Sequence, residues 1–129
     1  MSENKLVVRV AVESDIDEIA GMIDELVKGH PAENWKRHKS SLKQAYFNGA
    51  PIAHLYIAER KSVILGMGQW TRQYDMFWGQ FGGVLEWLYV KPEYRGSGVA
   101  AAIVVELCSQ IRKSGGSYAM GEGMNPNVS

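Results

Sequence analysis

Two features of the chain are equipped for chemistry, and they are close neighbours in sequence. Glu86 stands in the run Val84-Leu85-Glu86-Trp87-Leu88-Tyr89-Val90, where every other residue is apolar or aromatic. A carboxylate on such a strand is a candidate general base; the other reading is a structural glutamate paired with an Arg or Lys. A few residues later Lys91-Pro92-Glu93-Tyr94 marks a turn, and Arg95-Gly96-Ser97-Gly98-Val99-Ala100 feeds an apolar helix. The first N–H groups of a helix have no intrahelical partner, and its peptide dipoles sum to a partial positive charge there. Gly96 and Gly98 remove the Cβ atoms that would block close approach, so backbone alone builds an anion site.

Spacing decides which anion. Gly96-x-Gly98-x-x-Ala101 satisfies the dinucleotide fingerprint, but that fingerprint wants its first glycine directly after the strand, and here five residues follow Val90. A phosphate-loop reading fails because Gly98-Val99-Ala100 lacks the Lys and Ser/Thr that hold a γ-phosphate and Mg²⁺. Arg95-x-x-Gly98-x-Ala100 instead resembles the Q/R-x-x-G-x-G/A motif of the GNAT family of N-acetyltransferases, where this loop receives the pyrophosphate of an acyl-coenzyme A. The preceding Leu-Tyr-Val-x-Pro-x-Tyr-Arg-Gly and the helix that follows agree in order and spacing.

The resemblance implies an α/β (α+β) fold with a mixed central sheet, flanked by helices, that splays between its fourth and fifth strands to admit acetyl-CoA. It implies coenzyme binding by Tyr89, Val90, Arg95, Gly96, Ser97, Gly98, Val99 and Ala100, with a backbone N–H at Val90 or Tyr89 as the oxyanion donor. Glu86, four residues before Val90, matches a position that often holds the general base. Relatives often protonate the leaving thiolate with a tyrosine on a helix after the fifth strand; Tyr118 is the one late tyrosine here. The activity implied is direct acetyl transfer to a primary amine in a ternary complex, the alternative being a catalytically weak acyl-CoA-binding module with a sensing or partner-binding role. Leu85-Glu86, Tyr89-Val90 and Pro92 to Gly96 are also similar to polyamine N-acetyltransferases, but Trp87 stands where those enzymes tend to carry a second acid.

The elements that must position these residues can be traced along the chain. Leu6 to Val12, rich in β-branched residues, predicts a first strand. Ser14 as cap and the acidic residues after it open a helix whose Ile16, Ile19, Ile23, Leu26 and Val27 share one face, ending near Gly29 and Pro31. A second helix is expected from about Glu33 to Asn48. Strands follow at His54 to Glu59 and Val63 to about Tyr74, joined by a tight hairpin at Arg60-Lys61-Ser62. Asp75 to Gly83 reads as an aromatic, glycine-rich connection, of which Met76 to Phe81 suits a lid or a dimer contact. Val84 to Val90 is then the fourth strand, Ser97 to Lys113 a helix burying Val99, Ile103, Leu107 and Ile111, and Ser117 to Gly121 a fifth strand. The order is β-α-α-β-β-β-α-β in one domain spanning 1–129. Members of the family usually continue with a helix and two strands, so a C-terminally truncated fold is expected, with an open strand edge that a homodimer would cover.

Composition excludes several classes. Lys plus Arg equals Asp plus Glu at 14 each, so no global field favours nucleic acid or an anionic membrane. No apolar run approaches membrane-spanning length. The single Cys108 has no internal disulfide partner and, set among apolar helix residues, reads as packing rather than a nucleophile; with no signal-like N-terminus, a cytoplasmic location is expected. His30, His38 and His54 lack metal-ligand spacing, so no metal is expected. Trp70, Trp78 and Trp87 either wall an acceptor pocket or pack as core aromatics.

Overall fold

The computed structural model describes residues 4–121. Its elements are β1 (Val7–Val10), α1 (Ile16–Leu26), α2 (Lys39–Tyr46), β2 (His54–Arg60), β3 (Val63–Asp75), β4 (Gln80–Val90), α3 (Val99–Lys113) and β5 (Ala119–Gly121). Their order along the chain is the expected one. The strands form one sheet in the order β1-β2-β3-β4-β5. The first four are antiparallel neighbours, while β5 runs parallel to β4. Parallel pairing needs a crossover, and α3 supplies it.

Local chemistry sets the turns. Lys61 and Ser62 both take positive φ, 53° and 64°, the twist that suits a two-residue hairpin between β2 and β3. At the β3–β4 turn Asp75 Oδ1 accepts from the N–H groups of Phe77 and Trp78 at 3.0 and 3.3 Å, an Asx turn. This turn is much shorter than the expected Asp75–Gly83 connection. Gly82 and Gly83 are strand residues, glycine because a Cβ would collide with the Tyr118 carbonyl oxygen at Gly82 and with Ile111 at Gly83. Close packing, not turn chemistry, accounts for them.

Helix α2 is also shorter than expected. The stretch before Lys39 folds as turns: Ala32 N–H donates to His30 Nδ1 at 2.9 Å, and Arg37 reaches Asp24 of α1 at 2.7 Å and the Ala32 carbonyl at 3.2 Å. Trp35 is left exposed. At the entry to α1 the group that ties the backbone is Asp15 rather than Ser14. Its Oδ2 accepts from Val12 N–H at 2.8 Å, and Arg9 grips both carboxylate oxygens at 2.8 and 3.0 Å.

Each face of the sheet carries its own apolar cluster. On one side α3 buries Val99, Ile103, Leu107 and Ile111, as their spacing predicts, against Leu65, Leu85, Leu88 and Val90. Each such side chain contributes about 1.5–3 kcal/mol. On the other side Ile19 and Met22 of α1 pack on Leu55, Ile57, Met67 and Tyr89. Ile23 and Leu26 of α1 remain half-buried because they border a cavity.

Candidate functional site

The site is organised by a defect in the sheet. Met67 of β3 pairs with Tyr89, but Gln69 pairs with Glu86, so Gly68 alone faces both Trp87 and Leu88. This is a β-bulge. Trp87 accommodates it with φ +52°, a conformation non-glycine residues seldom adopt. Opposite it, a Cβ on Gly68 would come within 2.8 Å of Ile103 and 3.2 Å of Leu88. The extra residue puts Glu86 and Tyr89 on the α1 side and Leu88 and Val90 on the α3 side.

Beyond the bulge, hydrogen-bond alternation fixes where the backbone of β4 points. Lys91 N–H donates to the Leu65 carbonyl at 2.8 Å, and the pairing runs Gly66 with Val90 and Met67 with Tyr89. Bonded and non-bonded pairs alternate in an antiparallel ladder. Tyr89 therefore turns its N–H toward β3, and Val90 turns both N–H and C=O away from it. Among the described residues β5 pairs with β4 only from Gly83 to Leu85, well short of Val90. Of the two residues expected as oxyanion donor, Val90 is the one whose N–H faces the open side.

The glycine loop closes on that point. Arg95 folds back so that its Nε donates to the Val90 carbonyl at 2.8 Å, with its guanidinium 5.5 Å from the centre of the Tyr89 ring. Ser97 Oγ donates to the Tyr94 carbonyl and holds the turn. Gly96 and Gly98 have φ of 79° and 87°. A Cβ placed on either meets nothing within 4 Å, so the concave side of the loop is open. Gly98 caps α3 without a side chain, and the first helical bond is Ala102 N–H to the Gly98 carbonyl at 3.1 Å. The N–H groups of Val99, Ala100 and Ala101 precede it and have no backbone partner among the described residues. A cradle of free donors at a helix start fits a diphosphate.

Glu86 sits half-buried in a string of neutral groups. Its Oε1 accepts from Gln69 Nε2 and Thr71 Oγ1, each at 3.3 Å. Gln69 in turn accepts from the Tyr46 hydroxyl. Burial, and then the charge of Glu86, push the Tyr46 hydroxyl above its ordinary pKa, so it stays a donor at neutral pH. Gln69, Tyr46 and Trp87 line one end of a cavity of about 220 Å³ whose other wall is α1. No Arg or Lys pairs with Glu86 among the described residues. Its partners are the two β3 side chains.

The Acetyltransferase (GNAT) family model matches residues 9–128. The chain belongs to the GNAT acetyltransferase family. It is 30% identical to the thialysine N-epsilon-acetyltransferase of Sus scrofa over 83% of this chain and 72% of that one, and 29% identical to the Bos taurus protein over the same shares. Its fold matches the ribosomal-protein-alanine N-acetyltransferase of Brucella melitensis biovar Abortus 2308 with TM-score 0.76 at 16% identity, covering 94% and 82% of the two chains. An aminoglycoside N-acetyltransferase in complex with CoA matches with TM-score 0.73 at 20% identity over 95% and 78%.

Within this GNAT fold Tyr118 is not brought to the loop. Its carbonyl accepts from Gly83 N–H at 3.0 Å, and its hydroxyl donates to the Gln73 carbonyl and Oε1 at 3.3 and 3.0 Å. Val90 is seven residues further along β4, roughly 20 Å away at strand spacing. Tyr118 packs the start of β5. The tryptophans divide as well: Trp70 is buried in the α3-side core and stacks on His54 at 4.4 Å, and Trp78 is exposed on the hairpin. Trp87 alone of the three reaches the cavity. Gln69, Thr71 and Tyr46 were not legible as site residues. The available signal was Gln69 and Thr71 two apart, directly after the apolar run Val63 to Gly68 of the same strand, on one face that must meet Glu86.

Proposed function

We propose that this GNAT protein transfers the acetyl group of acetyl-CoA to a small primary amine by direct attack in a ternary complex. The observation that carries the reading is the convergence of three backbone devices on one end of β4. They are the outward Val90 N–H, the open Gly96–Gly98 loop and the free N–H groups of α3, with Glu86 on the same strand.

Each residue has a distinct task. The N–H groups of Val99, Ala100 and Ala101, with the dipole of α3 behind them, hold the coenzyme's diphosphate, and Gly96 and Gly98 let it approach. Arg95 fastens the loop to Val90 and leaves its terminal nitrogens for phosphate. When bound, acetyl-CoA supplies a thioester carbonyl open to a nucleophile. The Val90 N–H is aimed where negative charge grows on that oxygen, and a donor of this kind is worth about 2.7–4 kcal/mol in the transition state. An amine attacks only as the free base, so Glu86 accepts its proton while Gln69 and Thr71 keep the carboxylate oriented. With Tyr118 remote, water protonates the departing thiolate. A half-buried lone cysteine suits a reducing, cytoplasmic setting.

Thiol release from acetyl-CoA across a panel of primary amines tests the proposal. Amine-dependent release that stops when the amine is omitted is the expected result. Coenzyme binding with no release for any amine would leave only a binding module.

A further inference from the structure

The cavity beside Glu86 carries an inference about the acceptor, and it rests on the acetyl-transfer reading above. Its walls are Ile19, Ile23 and Leu26 from α1 and Val27 just past its end, with Leu55 and Met67 from the sheet. Its polar groups are neutral or already engaged: Gln69 holds Glu86 and Tyr46, and His30 Nδ1 accepts from Ala32 N–H. Among the described residues no carboxylate lines it. Beside these wall residues in sequence, Glu25 of α1 and Lys28 just past its end pair with each other at the surface at 2.6 Å. At the Gln69–Trp87 end Glu86, one residue from Trp87, comes close through its bond with Gln69.

We infer that the acceptor is an amphipathic monoamine, an alkyl- or arylalkylamine whose nitrogen meets Glu86 and whose apolar tail fills the α1 cavity. The volume of about 220 Å³ exceeds the roughly 150 Å³ that suffices for benzene in an apolar protein cavity. One aromatic ring with a short linker therefore fits. A second ammonium, as in a polyamine or an aminoglycoside, would be carried among aliphatic side chains without a counter-charge, a position from which burial strongly excludes it. Trp87 in place of an acid at the mouth points the same way.

Two measurements on the full chain test this. In steady-state thiol release, kcat/KM for n-alkylamines rises about fourfold per added methylene from propylamine to hexylamine. Phenethylamine exceeds spermidine, thialysine and an aminoglycoside by at least about tenfold. In calorimetry without coenzyme, hexylamine binds more tightly than spermidine. Leu26→Glu, which sets a carboxylate in the cavity wall, lowers the phenethylamine-to-spermidine preference at least about tenfold; Val27→Glu serves if that variant does not fold. Equal or better turnover of the polycations overturns the inference and leaves acetyl transfer standing. If no amine is acetylated, transfer itself falls, and calorimetry still decides the cavity: tighter hexylamine binding, lost in Leu26→Glu, upholds it, and its absence overturns it.

Discussion

Arg95 Nε lies 2.8 Å from the carbonyl oxygen of Val90, so the side chain that opens the glycine loop is bonded to the strand end whose N–H faces the open side of the sheet. One contact thus fixes the distance between the anion cradle and the acyl position. It also occupies the Val90 carbonyl, the partner of the N–H assigned to catalysis.

Removing that contact should loosen both functions together. Arg95→Ala is expected to weaken CoA binding about tenfold in calorimetry, the range of one charge-assisted hydrogen bond. Arg95→Lys should recover part of the loss, since an ammonium can reach the carbonyl but lacks the planar fork. Wild-type affinity in Arg95→Ala would remove Arg95 from the coenzyme site.

Gly98→Val combines two penalties. A φ of 87° strains any β-branched residue, by about 1–3 kcal/mol, and the new side chain projects into the open concave side of the loop. CoA affinity should fall by more than in Arg95→Ala, with a melting temperature lowered by several degrees. Calorimetry on the folded variant reads the binding loss separately from the strain.

Glu86→Gln tests proton transfer. The amide can keep a contact with Thr71 but cannot take a proton, so kcat should drop about 10²- to 10⁴-fold with CoA affinity nearly unchanged. The deficit should be largest at pH values where the free amine is scarce. A loss of stability with normal turnover would mark Glu86 as structural.

Acid sensitivity should trace to Asp15. The hydrogen bond from Arg9, together with the Val12 N–H bond, holds its carboxyl below the ordinary value of 3.8. A depressed pKa contributes stability above the unfolded value, and that contribution fades as pH falls below about 4 toward the folded pKa. Asp15→Asn should therefore cost about 2 kcal/mol at pH 7, a loss consistent with a broken cap and ion pair. The gap to wild type should close in denaturant titrations on acidification through that window.

What was legible in the chain was local. Gly96, Gly98 and the apolar spacing of α3 declare a loop and helix within about twenty residues, and the structure has them there. The bulge was not legible, because it depends on Gly68 facing Trp87 across two strands and on Ile103 packing behind it. Counting by twos from Val90 places Glu86 on the wrong face; only the extra residue at Trp87 turns it toward Gln69, which lines the cavity. Gly82 and Gly83 resemble a loop by composition, yet the backbone of Tyr118 and the side chain of Ile111, both distant in sequence, require them in a strand.

The central claim, direct transfer from acetyl-CoA to an amine bound beside Glu86, is tested most directly by mass spectrometry of protein and amine in one reaction. The chain, incubated with acetyl-CoA alone and then with phenethylamine, should show no mass change in the protein, and acetylated amine should appear one-for-one with free CoA. Bound acetyl-CoA that yields no acetylated amine at saturating phenethylamine, spermidine and thialysine alike would contradict the account.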